Sequence, residues 1–110
     1  METAKFREKV TLGTGEELSI QASTFTYCTP RDNTGPYTRV EVGVWDKCVL
    51  PSRWEVYRDS YDGDRGPDLE VYAFVPVVLV RELIQSRGGI VSGECPPLAP
   101  TTYSKERIGE

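Results

Sequence analysis

The segment from Val71 to Ile90, VYAFVPVVLVRELIQSRGGI, constrains this chain more than any other. An apolar alternating run leads into a proline, then a helical pattern, then two glycines. Pro76 suits the first position of a helix, where its fixed φ and missing N–H cost nothing. Gly88 and Gly89 suit a left-handed helix C-terminus. The spacing predicts a helix over about 76–87. Val80, Leu83 and Ile84 form its inner stripe, Val77 or Leu79 its edge, and Arg81, Glu82, Gln85 and Ser86 its wet face. The strand feeding it covers 68–75, with Val71, Ala73 and Val75 alternating against Tyr72 and Phe74.

Upstream, period-2 patterns dominate. Val10 and Leu12, then Leu18, Ile20 and Ala22, alternate on either side of Gly13-Thr14-Gly15-Glu16-Glu17, which reads as a β-hairpin. Residues 24–29 are β-branched and aromatic and read as a further strand, with Phe25 and Tyr27 on one face. After the turn formers of 30–36, Val40, Val42 and Val44 alternate with Arg39, Glu41 and Gly43. Gly43 inside a strand points to a bulge or to close approach by another backbone. Residues 51–54 read as a helical turn or a loop, and 54–57 as a candidate short strand. The expected fold is α+β: an antiparallel meander of four to five strands with one helix on one face. Residues 1–7 are expected to be a flexible N-terminus and 8–90 a single domain. The proline-rich 91–110 reads as an extended tail, partly disordered or draped on the surface.

Composition removes whole chemistries. The chain has no histidine, which excludes Ser–His and Cys–His nucleophile pairs and imidazole metal sites. An enzyme here would depend on carboxylates, lysine, tyrosine or cysteine. No acid/base pair is evident, so a non-enzymatic protein is expected. Cys28, Cys48 and Cys95 show no metal spacing and read as reduced thiols, with a Cys28–Cys48 bridge as the alternative. No cofactor or metal is expected. No apolar run reaches the ~20 residues of a bilayer span. The N-terminus lacks the apolar core of a signal peptide, so a cytosolic location and no membrane partner are expected.

Charge is concentrated in one place. The net charge is −4, and residues 55–70 account for all of it with six acids and two arginines. Glu55, Asp59, Asp62, Asp64, Asp68 and Glu70 read either as a solvated loop or as an acidic patch facing a basic partner surface. Counted from Asp59, the EF-hand places hold Tyr61, Gly63 and Asp64, so that calcium pattern fails. A basic footprint for direct nucleic-acid binding is missing. Trp45, Trp54, Tyr57 and Tyr61 cluster mid-chain; one tryptophan is expected in the core and the other at least partly exposed. The expected partner-binding set is Trp54, Asp59, Tyr61, Asp62, Asp64 and Asp68. A second set, for a small molecule or nucleotide, is Tyr27, Arg31, Tyr37 and Arg39, with the Arg31 fork between two tyrosine rings. Open strand edges in a short meander are consistent with a homodimer.

The order VTLGTGEELSIQASTFTYCTPR, YTRVEVGVW and VYAFVPVVLVRELIQSRGGI resembles a group of small phage and mobile-element proteins. Those share a strand block ending in Tyr-Cys-x-Pro-Arg and a Tyr-x-x-Val-Pro lead-in to a helix that ends in Gly-Gly. The likeness spans about residues 8–90. It implies a phage-type protein that binds and inhibits host machinery, such as a CRISPR effector or another defence protein, in the host cytosol. No functional residue carries over from it.

Overall fold

The computed structural model describes residues 6–45, 48–59 and 69–100. A five-stranded antiparallel sheet carries one α-helix, α1, over Val77–Ser86. The strands are β1 (Val10–Leu12), β2 (Glu17–Gln21), β3 (Arg39–Val44), β4 (Glu70–Pro76) and β5 (Ile90–Ser92), in spatial order β4-β3-β2-β1-β5. The first four form the meander that the alternation predicts. β5 returns after the helix to lie beside β1.

Register decides which side chains share a face. Val10 pairs with Leu18, Leu18 with Val44, and Ile20 with Val42. Across the next ladder Val42 pairs with Tyr72 and Val40 with Val75. Directly paired residues project to the same side, so all of these meet on one face. All are buried, in one cluster with Val77, Val80 and Leu83 of α1. Fully burying a side chain of this size contributes about 1.5–3 kcal/mol. The helix is rotated slightly from expectation: Val77 is fully inside and Ile84 only partly. Trp54 also enters this core, from a 3-10 helix over Ser52–Tyr57. Its ring meets Tyr72 edge-on at 5.9 Å. Of the readings open for 51–57, the helical turn is the one the chain adopts.

Pro76 lies one place earlier than a first helical residue. Its φ of −60° and ψ of 138° keep it in β4, opposite Arg39, and the helix begins at Val77. The Val77 N–H donates to the Thr38 carbonyl at 3.0 Å, so the residue just before β3 supplies a cap that no side chain provides. Gly88 and Gly89 both take positive φ, as expected at the helix end. A Cβ on Gly88 would lie 2.9 Å from Gly13 Cα, so the hairpin and the helix end touch backbone to backbone.

Two expectations fail. Residues 24–29 are not a strand. The Ser23 N–H donates to Thr26 Oγ1 at 2.9 Å and the Phe25 N–H to Ser23 Oγ at 3.0 Å, so local hydroxyls close a turn in competition with the ladder. The alternation of β4 breaks at a bulge between the Val40 and Val42 rungs: Val71, Tyr72 and Val75 are buried, and Phe74 is turned out with φ of 54°. At the chain ends, hydrogen bonds tie Arg7 and residues 90–99 to the sheet, so the described part of the tail is draped on the body. The Arg7 N–H donates to Gln21 Oε1 and its carbonyl accepts from Gln21 Nε2. Residues 90–99 add β5 and then a strap. In the strap the Tyr37 N–H donates to Pro97 O, the Ala99 N–H to Tyr37 O, and the Arg81 guanidinium to the Leu98 and Ala99 carbonyls. No helix among the described residues is long and apolar enough to cross a membrane.

Candidate functional site

The sheet face away from α1 carries the second side of every alternation. Ser19, Gly43 and Val71 form one row across β2, β3 and β4. The middle position of that row has no side chain, so the row is a notch. Gly43 marks neither a bulge nor an approaching backbone; a Cβ there would meet Leu69 Cδ1 at 3.3 Å and Ser19 Cβ at 3.6 Å. Around the notch lies a trough of about 370 Å³, walled by Phe6, Trp45 and Leu69, with Glu41 and Lys9 on its rim. The Lys9 ammonium sits 5.4 Å from the Trp45 ring centroid and 3.1 Å from Glu17. The Gln21 amide is fully engaged with the Arg7 backbone and Ser19 Oγ. Glu41 accepts the Tyr27 N–H at 3.3 Å.

That last bond joins the trough to an aromatic ridge. The Tyr27 and Phe74 rings lie 5.7 Å apart, tilted by 36°, and are 41% and 40% exposed. Phe25, two residues from Tyr27, is 80% exposed. The Arg31 guanidinium lies 5.5 Å from the Tyr27 ring, and its Nε donates to Thr26 O. Arg39 donates to Phe74 O, and the Phe74 N–H donates to Tyr27 O. Three members of the expected small-molecule set, Tyr27, Arg31 and Arg39, therefore meet. Tyr37 does not join them. It is fully buried and its hydroxyl donates to Asp32 O at 2.8 Å; burial raises its phenol pKa. Phe74 takes the place expected of Tyr37, and nothing in the local pattern marks it, because the bulge alone turns it outward.

A positive φ on a bulky residue is sterically costly and persists only where the surroundings impose it. Here the bulge in β4, the Phe74 N–H bond to Tyr27 O and the Arg39 guanidinium bond to Phe74 O hold it.

The expected acidic partner set is only partly on view. Tyr61, Asp62, Asp64 and Asp68 lie outside the described residues. Trp54 offers no docking surface, because it is 1% exposed and packed in the core; Trp45 is the half-buried tryptophan. The Asp59 N–H donates to Val71 O. Arg58 pairs with Glu70 at 2.8 Å and with Glu55 at 3.9 Å, so these two acids share their counter-charge locally.

The thiols are poorly placed for chemistry. All three are free. Cys28 is buried with its sulfur against Ser23 O at 3.2 Å. Burial raises the pKa of Cys48 and of Cys95, which disfavours thiolate. No group of three or more metal-ligating side chains converges among the described residues. Comparison of the chain with protein-family models, curated proteins and solved structures finds no match.

Proposed function

We propose that the chain is a non-enzymatic binding protein that docks onto a macromolecular partner through the ridge of Tyr27 and Phe74. The observation that carries this reading is the strained backbone at Phe74, φ 54°, which holds an aromatic ring half out of the protein instead of in its core. Strain of this kind concentrates where recognition depends on it. Exposed aromatic anchors flanked by arginine are the commonest hot-spot composition in protein interfaces. Buried Cys28 and the absence of histidine support a role in binding over catalysis. By its resemblance to small phage proteins, the partner is a host defence or nucleic-acid-processing protein in the cytosol. The acidic run supplies the long-range attraction.

Affinity capture from host lysate with wild-type protein and with Phe74→Gly, Tyr27→Ala and an Asp59/Asp62/Asp64/Asp68→Ala variant tests this. The expected result is a partner retained by wild type, lost with both aromatic variants, and weakened by the aspartate variant most at low salt. Equal recovery by wild type and Phe74→Gly, or recovery of no partner by any, overturns it.

A further inference from the structure

We infer that the aromatic ridge receives an acidic segment of the partner protein, its carboxylates held by Arg31 and Arg39 and an aromatic side chain laid on Tyr27 and Phe74. This names the chemistry of the partner and rests on the docking reading proposed above. The pattern of ion pairs singles out these two arginines. Among the described residues, Lys9 pairs with Glu17, Arg53 with Glu82, Arg58 with Glu70 and Arg87 with Glu16. Arg7 and Arg81 are half-buried and bonded to the carbonyls of Ala22, Leu98 and Ala99. Arg31 and Arg39 are exposed and meet no carboxylate among the described residues.

Each guanidinium is aimed by one carbonyl and keeps a complete fork. Arg31 Nε donates to Thr26 O, which leaves its Nη1–Nη2 edge. Arg39 Nη1 donates to Phe74 O, which leaves its Nε–Nη2 edge. Either edge matches the two oxygens of a carboxylate. Arg31 lies 5.5 Å from the Tyr27 ring, that ring lies 5.7 Å from Phe74, and Arg39 holds the Phe74 backbone, so one fork stands at each ring. Two acids of this neighbourhood are turned to backbone: Asp32 Oδ1 accepts the Thr34 and Gly35 N–H groups, and Glu41 accepts the Tyr27 N–H. The Thr24 N–H bond to Asn33 Oδ1 closes the loop further, so the ridge is set before a partner arrives and its ordering cost on binding is low. A nucleic-acid strand also offers oxygens to such forks. It brings a phosphate at every nucleotide, however, and a chain of net charge −4 has no basic stripe to follow them. Carboxylates beside one aromatic side chain need only the two forks and the rings between them.

Titration of ¹⁵N-labelled protein with the acetylated, amidated pentapeptide Glu-Glu-Phe-Glu-Glu, followed by backbone amide and arginine Nε signals, tests the assignment. Gln-Gln-Phe-Gln-Gln, Lys-Lys-Phe-Lys-Lys and a ten-thymidine single strand are the comparison ligands. The glutamate peptide is expected to shift the Tyr27, Arg39 and Phe74 amides and the Arg31 Nε signal, and to bind more tightly than the glutamine peptide and the thymidine strand, with the lysine peptide weakest. Arg31→Gln and Arg39→Gln are each expected to weaken the glutamate peptide by about fivefold and to leave the glutamine peptide unchanged. Arg31→Lys and Arg39→Lys keep the charge without the fork and are expected to restore only part of that loss. Unmoved Val42 and Leu83 amides show that each variant is folded. Phe74→Gly is expected to lose the glutamate and glutamine peptides alike. No shift with the glutamate peptide, equal binding of the glutamate and glutamine peptides, tightest binding by the lysine peptide or the thymidine strand, or full affinity in both glutamine variants would overturn the acidic-segment inference. The docking ridge still stands after any of these if Phe74→Gly abolishes capture of the partner from lysate, and it falls if Phe74→Gly captures that partner as well as wild type does.

Discussion

The two faces of the sheet are made from the same strands but by different rules. Toward α1, every rung contributes a branched apolar side chain, and Val10, Leu18, Ile20, Val40 and Val42 vanish from solvent entirely. Toward the other side the same strands present Ser19, Gln21, Glu41 and Gly43, yet aromatic and aliphatic groups stand around them in Phe6, Trp45 and Leu69. One face is closed by packing. The other, among the described residues, is shaped as a trough, with the aromatic ridge beside it. A sheet that only needed to be soluble would place charges there. The contrast teaches that the side chains that hold the fold and those that shape its outer surface are separable, one residue apart along each strand.

The sharpest way to break that separation is to truncate neighbours on opposite faces. Ile20→Ala opens a cavity in the core and is expected to lower unfolding free energy by about 2–5 kcal/mol. Ser19→Ala, beside it, is expected to cost under about 1 kcal/mol. Chemical denaturation of the two variants checks this; similar losses would show that the outer face also carries stability. Next in size is the strap that borders the helix side. Arg81→Ala removes two donors to the Leu98 and Ala99 carbonyls. It is expected to cost about 1–3 kcal/mol and to speed hydrogen exchange at the Ala99 and Tyr37 amides, while α1 amides keep their protection.

A smaller effect tests the strain at the ridge. Glycine tolerates positive φ and alanine does not, so Phe74→Gly is expected to be more stable than Phe74→Ala by about 1 kcal/mol, the reverse of their usual order in a strand. Thermal melts of the pair decide it. The smallest effect lies at the hairpin. The Thr14 hydroxyl, and then Arg87, hold the Glu16 pKa below its ordinary value. A depressed carboxylate pKa stabilises the fold above the unfolded pKa, and that contribution fades as pH falls through the folded value. Stability of the wild type is expected to drop below about pH 4.5 by under about 1 kcal/mol more than that of Glu16→Gln. Parallel slopes of the two proteins in acid would remove Glu16 as a contributor.

What could be read before folding follows from range. Val40, Val42 and Val44 declare a half-buried strand within six residues, and Pro76 with Gly88-Gly89 brackets the helix within fourteen. Both patterns are local. Residues 24–29 have strand composition, but the Ser23 and Thr26 hydroxyls divert their backbone, and composition does not register that competition. Composition leaves the tail open between disordered and draped, because the strap's anchors are backbone bonds to Tyr37 and the Arg81 fork, which need no apolar pattern. At the ridge, the Tyr27–Arg31 pairing was legible from proximity. Phe74 was not, because its outward turn follows from a register shift against β3. The trough was half legible. Gly43 stood out as an anomaly, but its meaning waits on Ser19 and Val71 arriving on either side.

β5 carries one further consequence. β1 has β2 as its early neighbour and waits for Ile90–Ser92 to cover its other edge. During synthesis the hairpin, complete at Gln21, therefore emerges with one flank bare until about seventy further residues, up to Ser92, have followed. A ribosome that stalls before Ser92 releases a chain with a sticky margin at β1, and quality control would meet this protein there first.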